Sequence, residues 1–342
     1  SEIEDGSLRA VQVITHLRLT SLSRTTARSC RCGADRTGGG RSMDRSQFVR
    51  FTKSTEQLVS PRTVGGLYGR AEMLGKLPAR LQRRIVKRAS SDDKLIGFVV
   101  EPYSFFLAQE ITDTTAASAQ LPPGYELVPT AMFAGTEPRP CGIIAAFNVH
   151  TSVFWGSRVE LYLIAQDQAT GLLSWVIVDY ESNTISYDPG QGFSGSSTSH
   201  SVVTTTYAGD VVVDVKSAQR RNHIDMVADL DAASMRPLEQ RLWLEGNLSV
   251  DYGGRLLDKD SVPFGLVFEP GEMERALHVP LEAVDIERNT FGDGYLASEP
   301  FEAGCFPYAQ HFQTTSFPAA TPITDREGLE RAVRGLTPGQ AG

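Results

Sequence analysis

Cysteine is scarce in this sequence, and long apolar runs are absent. The 342 residues include four cysteines, at Cys30, Cys32, Cys141 and Cys305. Four scattered thiols are too few for a disulfide framework, so we expect a reducing, cytoplasmic compartment. No stretch approaches the ~18 consecutive apolar residues that a membrane-spanning helix needs. The sequence therefore predicts a soluble chain without a membrane span.

Excess positive charge is lacking too. The formal net charge is −8 and the sequence pI is about 5.4. A general nucleic-acid binder needs clustered cations that neutralise phosphates, so this balance argues against a nucleic-acid partner. Hydrophobic residues make up 41% of the chain, which is enough for a substantial core and argues against global disorder.

Motifs for nucleotide binding and serine catalysis are also missing. Residues 190–195 read Gly-Gln-Gly-Phe-Ser-Gly and match the glycine spacing of a dinucleotide fingerprint. That fingerprint binds pyrophosphate at the N-terminus of a helix, whereas residues 196–205 have a β-like composition. We therefore interpret 190–195 as a glycine-rich loop. No G-x-S-x-G nucleophile elbow is present in the sequence.

Histidine lacks the spacing of metal ligands. No histidine pairs with another histidine or with a cysteine at the separations typical of zinc sites. The six histidines are His16, His150, His200, His223, His278 and His311. The sequence thus predicts no metal and no cofactor, although ligands brought together from distant strands would escape this reasoning.

Lysine is missing from the first 42 residues, which hold seven arginines and four acidic residues. This Arg- and Ser-rich composition is typical of an organelle transit peptide, which would change the compartment. We favour the alternative that 1–42 is a translated upstream or artificially added segment and that the native chain starts at Met43. Residues 43–94 are predicted as a helical extension, 95–317 as the main domain, and 318–342 as a C-terminal helix and tail, with the helix at 325–336.

The helical extension contains an apolar stripe among many arginines. Leu77, Leu81 and Ile85 recur at i, i+4 and i+8, and Pro78 suits the first turn of a helix. One interpretation is a basic amphipathic helix that binds a membrane surface or an acidic partner. We favour a helix docked on the protein with a solvated basic face, because the stripe is narrow and has no aromatic anchor.

From residue 95 onward, apolar residues recur at every second position, which is the period of β-strands. A short helix is predicted at 271–277. Many short strands without long intervening helices favour a mainly β (α+β) fold, namely an antiparallel cone, barrel or sandwich with a few peripheral helices. The predicted strands are 95–101, 104–110, 125–133, 142–149, 158–166, 172–178, 200–207, 210–216, 223–231, 241–250, 262–268 and 278–285.

The predicted strand 158–166 has one apolar and one polar face. Val159 and Leu161 fall on the first, and Arg158, Glu160 and Tyr162 on the second. A polar strand face either meets water or lines the lumen of a barrel. Burying an unpaired carboxylate is costly. Glu160 is therefore either a solvated surface residue or a candidate general acid/base in an enclosed pocket.

Several segments follow one another in an order known from a protein family. A Leu-Pro-Pro-Gly-Tyr run precedes a strand, then comes a strand with a central glutamate, and an acidic, glycine-rich segment leads into two further strands. The segments are 121–125, 158–163, 178–195, 200–216, 239–243, 262–264 and 306–308. Together they resemble the acetoacetate decarboxylase-like superfamily over residues 95–317.

This resemblance implies a cone-like antiparallel barrel around a mainly apolar pocket for a small carbonyl compound. It also implies a Schiff-base lysine just after the glycine-rich loop and a glutamate, matched by Glu160, that helps organise the site. Residues 195–200 read Gly-Ser-Ser-Thr-Ser-His and supply no lysine, and Lys216 lies on another predicted strand. Imine chemistry needs an amine nucleophile, so we do not expect acetoacetate-type decarboxylation.

The leading hypothesis is a lysine-free member of this superfamily, an enzyme of lyase or isomerase type that acts on a small carbonyl or keto-acid metabolite. It would use acid/base chemistry such as enolisation, hydration or cyclisation. The predicted catalytic residues are Glu160 as the acid/base, Arg158 as a carboxylate or enolate partner, and His200 as a proton relay. The predicted substrate-binding residues are Tyr162, Arg241, Trp243 and Phe193.

Two alternatives come from other functional classes. A non-catalytic carrier or sensor on the same barrel predicts saturable binding of a metabolite without turnover. In the other alternative, Arg158 and Glu160 face solvent and function lies in assembly through the helical segment 65–89. The predicted partner is thus a small molecule, and the sequence leaves open whether the chain also forms a homo-oligomer.

Overall fold

The structure, a computed structural model, describes residues 45–56, 73–89, 96–151, 155–258 and 263–314, with positions 62, 66, 69 and 70 between the first two ranges. Its α-helices include α1 Arg45–Thr55, α2 Ala79–Ala89 and α3 Thr114–Ser118. The strands are β1 Ile96–Val100, β2 Ser104–Ile111, β3 Tyr125–Leu127, β4 Cys141–Thr151, β5 Trp155–Asp167, β6 Leu173–Ser182, β7 Ser186–Asp188, β8 Gly192–Ser194, β9 Thr198–Thr205, β10 Asp210–Ser217, β11 His223–Asp229, β12 Ser234–Pro237, β13 Val250–Tyr252, β14 Leu266–Val267, β15 Arg275–Val279, β16 Val284–Asn289, β17 Leu296–Phe306 and β18 Gln310–Thr314.

Most strands belong to one large sheet of 12 strands. Its main path runs β12-β15-β17-β2-β4-β1-β18-β14, and β5 and β6 continue from β4, with β3 and β13 paired to them. Strands β9, β10, β11 and β16 form a second sheet, and β7 and β8 form a hairpin. Apart from the parallel pair of β13 and β6, these pairings are antiparallel. The mainly β, antiparallel prediction is confirmed, although the pairings among the described residues do not close into a barrel.

The large sheet contributes to two hydrophobic cores. An aliphatic core contains Val159 and Leu161 of β5 together with inward-facing residues of β10 and β11. An aromatic core contains Trp175 and other rings on the opposite side of β5. Because side chains alternate along a strand, Glu160 and Tyr162 face the aromatic core. The period-two prediction for this strand is therefore confirmed, and its polar residues do not lie on an open surface.

Helix α2 docks on the hairpin formed by β7 and β8. Leu77 and Ile85 pack with Leu74 and with Phe193 of β8. The Gln82 side chain accepts a hydrogen bond from the Phe193 backbone N–H at 2.7 Å. Leu77 and Ile85 of the predicted stripe therefore contact the body of the protein, whereas Leu81, its third member, is 42% exposed. Within the described residues, no helix is long and apolar enough to cross a membrane.

The predicted strand 241–250 is wrong. The chain forms a π-helical turn at Arg241–Glu245 and a 3₁₀ turn at Gly246–Leu248 before β13 begins. Leu242 and Trp243 are both buried, whereas neighbours on a strand point to opposite faces. The Trp243 indole donates to the Met132 carbonyl at 2.9 Å, which stabilises the turn within the aromatic core.

The predicted strand 278–285 is also wrong as a single element. Pro280 follows the last residue of β15, and because proline has no N–H it cannot continue the ladder. A 3₁₀ turn at Leu281–Ala283 then leads into β16 of the other sheet. The predicted helix 271–277 is likewise incorrect, because a 3₁₀ turn at Pro270–Met273 precedes β15.

Other predicted elements differ in length or were missed. Strand β3 ends at Leu127, shortly before Pro129, and β14 spans only two residues of the predicted strand 262–268. Strands β17 and β18 were not predicted. Strand β17 contains Pro300 and two register shifts in its pairing with β2, which disrupt the alternation on which the prediction relied. The predicted helix 325–336 and the leader 1–42 lie outside the described residues.

Candidate functional site

Glu160 lies in the middle of β5, between two partner strands. It is opposite Ala145 of β4 and Tyr180 of β6, and only 5% of its surface is exposed. Burial of Val159 and Leu161 in the aliphatic core fixes the orientation of β5. The Glu160 carboxylate must therefore find its hydrogen-bond partners inside the protein, since a buried unpaired charge is strongly unfavourable.

Both oxygens of Glu160 accept hydrogen bonds from the same face of β5. The Arg158 guanidinium donates through Nε at 2.7 Å and places Nη2 at 2.5 Å from the same oxygen, Oε1. The Tyr162 hydroxyl donates to Oε2. Burial lowers the pKa of Arg158, but the charge of Glu160, the neighbouring tyrosines and the hydrogen bond to Glu160 together outweigh burial and raise this pKa, so the guanidinium stays protonated. Burial, followed by the Glu160 charge, raises the pKa of Tyr162 well above its ordinary value, so this phenol acts as a donor.

Arg158 also contacts residues that follow β5 in the chain. Its Nη1 donates to the Ser186 hydroxyl at 2.8 Å, and its guanidinium carbon lies 4.6 Å from the centre of the Tyr180 ring. The Tyr180 hydroxyl in turn donates to Asp188 at 3.0 Å. Burial, and next the charge of Asp188, raises the pKa of Tyr180 to about 12. We call Arg158, Glu160, Tyr162, Tyr180 and Asp188 the Glu160 cluster.

Asp188 brings a second carboxylate into this cluster. Only 1% of its surface is exposed, and burial raises its pKa to about 6, although the Gln191 backbone N–H donates to it at 2.6 Å. Tyr252 of β13 lies close enough for electrostatic interaction with Arg158 and Tyr180, and burial is the main cause of its raised pKa. The two carboxylates therefore have different environments: Glu160 pairs with a cation, whereas Asp188 is held by neutral donors.

A β-bulge places Tyr180 in the cluster. Leu161 is opposite Asp179, but the next residue of β5, Tyr162, is opposite Ile177, so Val178 is the extra residue of β6. An extra residue changes which face the following side chains occupy. Ile177 and Tyr180 consequently both contribute to the aromatic core, although three positions separate them.

Aromatic side chains pack beside Tyr162. The Tyr162 and Trp175 rings meet edge to face with centroids 5.0 Å apart, and Trp175 contacts Trp243 at 5.2 Å. The indole N–H groups of both tryptophans donate to backbone carbonyls. Trp243, which was predicted to bind substrate, therefore packs against Trp175, and Trp175 in turn packs against Tyr162.

Three further predicted site residues have their contacts elsewhere. His200 of β9 pairs through Nε2 with Asp214 at 2.8 Å. Arg241 donates to Gln166 at 3.4 Å, toward the far end of β5. The Phe193 ring packs at a tilt against the Tyr187 ring, with centroids 4.9 Å apart, beneath helix α2. The structure therefore brings together Glu160, Arg158 and Tyr162, and it gives His200, Arg241 and Phe193 other partners.

Sequence reasoning missed Tyr180, Asp188, Ser186 and Tyr252. The predicted strand 172–178 ended before Tyr180, and Asp188 precedes Pro189-Gly190, which indicated only a turn. One signal was nevertheless present, since the hydroxyl of a buried tyrosine usually needs a hydrogen-bond partner.

The stretch 195–200, where the resemblance implies a Schiff-base lysine, leads into β9 and contains none. Lys216 of β10 lies opposite His200 in the second sheet and is exposed. No contact of Lys216 with Glu160 is present among the described residues. At the position implied by the resemblance, no lysine amine is therefore present that could form an imine.

No family model and no curated protein matches this chain. Among solved structures, acetoacetate decarboxylase from Legionella pneumophila is similar at 13% identity and a TM-score of 0.42, covering 64% of this chain and 84% of its own. The enduracididine biosynthesis enzyme MppR shows 11% identity and a TM-score of 0.40, with coverage of 66% and 89%. An acetoacetate decarboxylase-like enzyme from Sphingomonas wittichii shows 10% identity and a TM-score of 0.39, with coverage of 66% and 92%.

Proposed function

We propose that the Glu160 cluster binds a small carbonyl or keto-acid metabolite and catalyses acid/base chemistry without a Schiff base, such as enolisation, hydration or cyclisation. The observation that carries this proposal is a buried carboxylate whose two oxygens accept from a guanidinium and a phenol. A preorganised set of charged and donor groups in a largely dry environment is the arrangement that stabilises developing charge in a transition state.

Access to the cluster supports the same proposal. Tyr162 and Tyr252 are only partly buried, so both side chains keep surface that a ligand could contact. A few convergent polar groups in mainly apolar surroundings are typical of sites for small ligands.

Each residue of the cluster receives a role in this proposal. Glu160 takes the proton next to the substrate carbonyl, and Tyr162, protonated because its pKa is raised, donates to the developing enolate oxygen. Arg158 binds a carboxylate or the enolate through N–H groups that Glu160 and Ser186 do not use. For Glu160 to act, the substrate must displace one of the two donors that now occupy its oxygens.

A second candidate function is metabolite binding without turnover. Both oxygens of Glu160 already accept hydrogen bonds, which favours this candidate. Such a carboxylate can orient Arg158 and Tyr162 toward a ligand without taking up a proton. In that case Arg158 would be the ligand-binding group and Glu160 its positioning partner. The two candidates share the Glu160 cluster and differ in whether a proton moves.

The test is proton exchange at C3 of pyruvate and longer 2-oxo acids, the carbon next to the ketone, followed by NMR in deuterated water. We expect exchange by the full chain and a loss of roughly 100-fold or more in Glu160→Gln, the usual range for a general base. Arg139→Gln serves as the control, because its ion pair with Glu110 is at the surface. Equal exchange by Glu160→Gln would sink the catalytic assignment.

Two further readouts separate the candidates. Saturable binding of a 2-oxo acid by calorimetry, without exchange above background, would support the binding candidate and contradict the enzyme. A covalent adduct trapped by borohydride would contradict the lysine-independent mechanism, because such trapping reduces an imine on an amine.

A further inference from the structure

Two imidazoles and two carboxylates lie on neighbouring strands of the second sheet. His200 is on β9, Asp214 on β10, and His223 and Asp225 on β11. Inward-facing residues of β10 and β11, such as Val213, fill the aliphatic core. Because side chains alternate along each strand, these four residues point away from that core. We call them the outer His–Asp cluster.

The ligand atoms of this cluster are close enough to share one ion. One donor atom each from Asp214, His223 and Asp225 lies within 4.8 Å of the others. His223 Nε2 is 3.3 Å from Asp214 Oδ1, and His200 Nε2 is 2.8 Å from the other oxygen, Oδ2. Asp214 therefore lies between two imidazoles.

The register of the strands places two carboxylates of this cluster opposite each other. Asp214 is directly opposite Asp225, and like charges opposite each other in an antiparallel pair are destabilising. Lys216 lies opposite both histidines and Arg288 opposite Asp225, so these two side chains compete with an ion for the carboxylates. The ion pairs of Asp214 in the structure are with the histidines.

We propose that the outer His–Asp cluster is a binding site for a divalent transition-metal ion, with zinc the best fit to its donors. His223 Nε2 and one carboxylate oxygen each from Asp214 and Asp225 are the ligands, and solvent completes the coordination. Mixed imidazole and carboxylate donors suit zinc, nickel or copper, whereas calcium and magnesium prefer oxygen ligands alone. Three protein ligands with an open fourth position is an established zinc arrangement.

His200 acts in this site as a positioning residue. Its imidazole contacts Asp214 Oδ2, which leaves Oδ1 directed toward His223. Partners of this kind orient the ligand and change metal affinity when removed. The bound ion would join β10 and β11 across the Asp214–Asp225 pair and remove the repulsion between those carboxylates.

The experiment uses the full chain, stripped with EDTA and then titrated with Zn²⁺ by calorimetry and with Co²⁺ by visible absorption. We expect about one equivalent to bind with the d–d bands of a low-coordinate cobalt site. His223→Gln should weaken binding by ~100-fold and His200→Gln by roughly 10-fold, since removal of an orienting partner alone costs less.

Asp229→Asn is the matched control. Asp229 is a carboxylate further along β11 whose side chain accepts from the Asp231 backbone N–H, and it is not one of the three proposed ligands. It should leave both titrations unchanged, and thermal unfolding of each metal-free variant shows that the fold is retained. Three outcomes would overturn the proposal: no binding by the unaltered chain, binding that His223→Gln leaves unchanged, or Mg²⁺ binding as tight as Zn²⁺ binding.

Discussion

The Glu160 cluster and the outer His–Asp cluster are built from similar groups and differ in their surroundings. In each, one carboxylate lies between two side chains that contact its separate oxygens: Arg158 and Tyr162 for Glu160, His200 and His223 for Asp214. Glu160 is 5% exposed, whereas the side chain of Asp214 is 34% exposed. The first cluster satisfies its own charges, and the second is open to an ion from solvent.

This difference determines which interactions stabilise the fold. Removing one partner of a buried ion pair leaves an uncompensated charge and is strongly destabilising, whereas exposed pairs contribute little because water screens them. The pairs differ in burial, and the Arg158–Glu160 pair lies within one strand whereas the His200–Asp214 pair joins two strands. Substitutions that break the pairs one at a time therefore test how much each contributes to stability.

The largest expected effect is that of Arg158→Met. Glu160 would stay buried with Tyr162 as its remaining donor from this face, and we expect the free energy of unfolding in urea to fall by about 3 kcal/mol. The value is at the low end for buried pairs, because 20% of the Arg158 side chain is exposed. Arg139→Met breaks the exposed pair with Glu110 and should cost no more than ~0.5 kcal/mol. Equal losses in the two variants would contradict the comparison.

A smaller effect is expected from the titration of Asp188. Its pKa in the folded state, about 6, exceeds the ordinary value of 3.8, so the folded protein retains this proton longer than the unfolded chain. Its contribution to stability is therefore present below the ordinary pKa and is lost as the pH rises toward 6. We expect the ionisation of Asp188 to lower the free energy of unfolding by roughly 2–3 kcal/mol as the pH rises from the ordinary pKa to about 6.

Asp188→Asn isolates this effect, because asparagine keeps an oxygen for the Tyr180 hydroxyl and does not titrate. Burial also raises the pKa of Asp251 to about 6, so the quantity to measure is the difference between the two proteins. Relative to the unaltered chain, Asp188→Asn should gain stability between the ordinary pKa of an aspartate and pH 6, and no further above it. A difference that does not change with pH would show that Asp188 titrates normally.

The smallest effect is that of His200→Gln without metal. Half of the His200 side chain, 51%, is exposed, so its pair with Asp214 is screened by water. We expect the free energy of unfolding in EDTA to change by less than ~0.5 kcal/mol. A loss comparable to that of Arg158→Met would show that the outer cluster stabilises the fold through its own ion pairs.

The sequence predicted the face on which Glu160 lies, because period-two alternation is a local property. Arg158, Glu160 and Tyr162 needed only their spacing along β5 to be grouped. Tyr180 and Asp188 could not be grouped with them, because their positions depend on the pairing of β6 with β5 and on a bulge. The sequence of one strand alone predicts neither its register with a partner strand nor a bulge in that register.

The same reason explains why spacing along the chain did not single out the outer His–Asp cluster and why the predicted strand 241–250 is wrong. His200, Asp214 and His223 lie on three strands, so no spacing rule along the chain brings them together. At 241–250, alternating leucines satisfied the strand pattern, but Trp243 is buried beside Leu242 through long-range packing on Trp175. Local pattern predicts which residues share a face, and tertiary contacts decide what lies opposite that face.

The bulge at Val178 changes which residues of β6 face the aromatic core. Before it, odd-numbered residues of β6, such as Trp175, enter the aromatic core, and after it the even-numbered Tyr180 does so. If β6 kept all its residues but paired with β5 without the bulge, every residue after Ile177 would exchange faces. Asp179 and Glu181 would turn toward the aromatic rings and Tyr180 away from Arg158. The composition of the site therefore depends on a count of residues as much as on their identity.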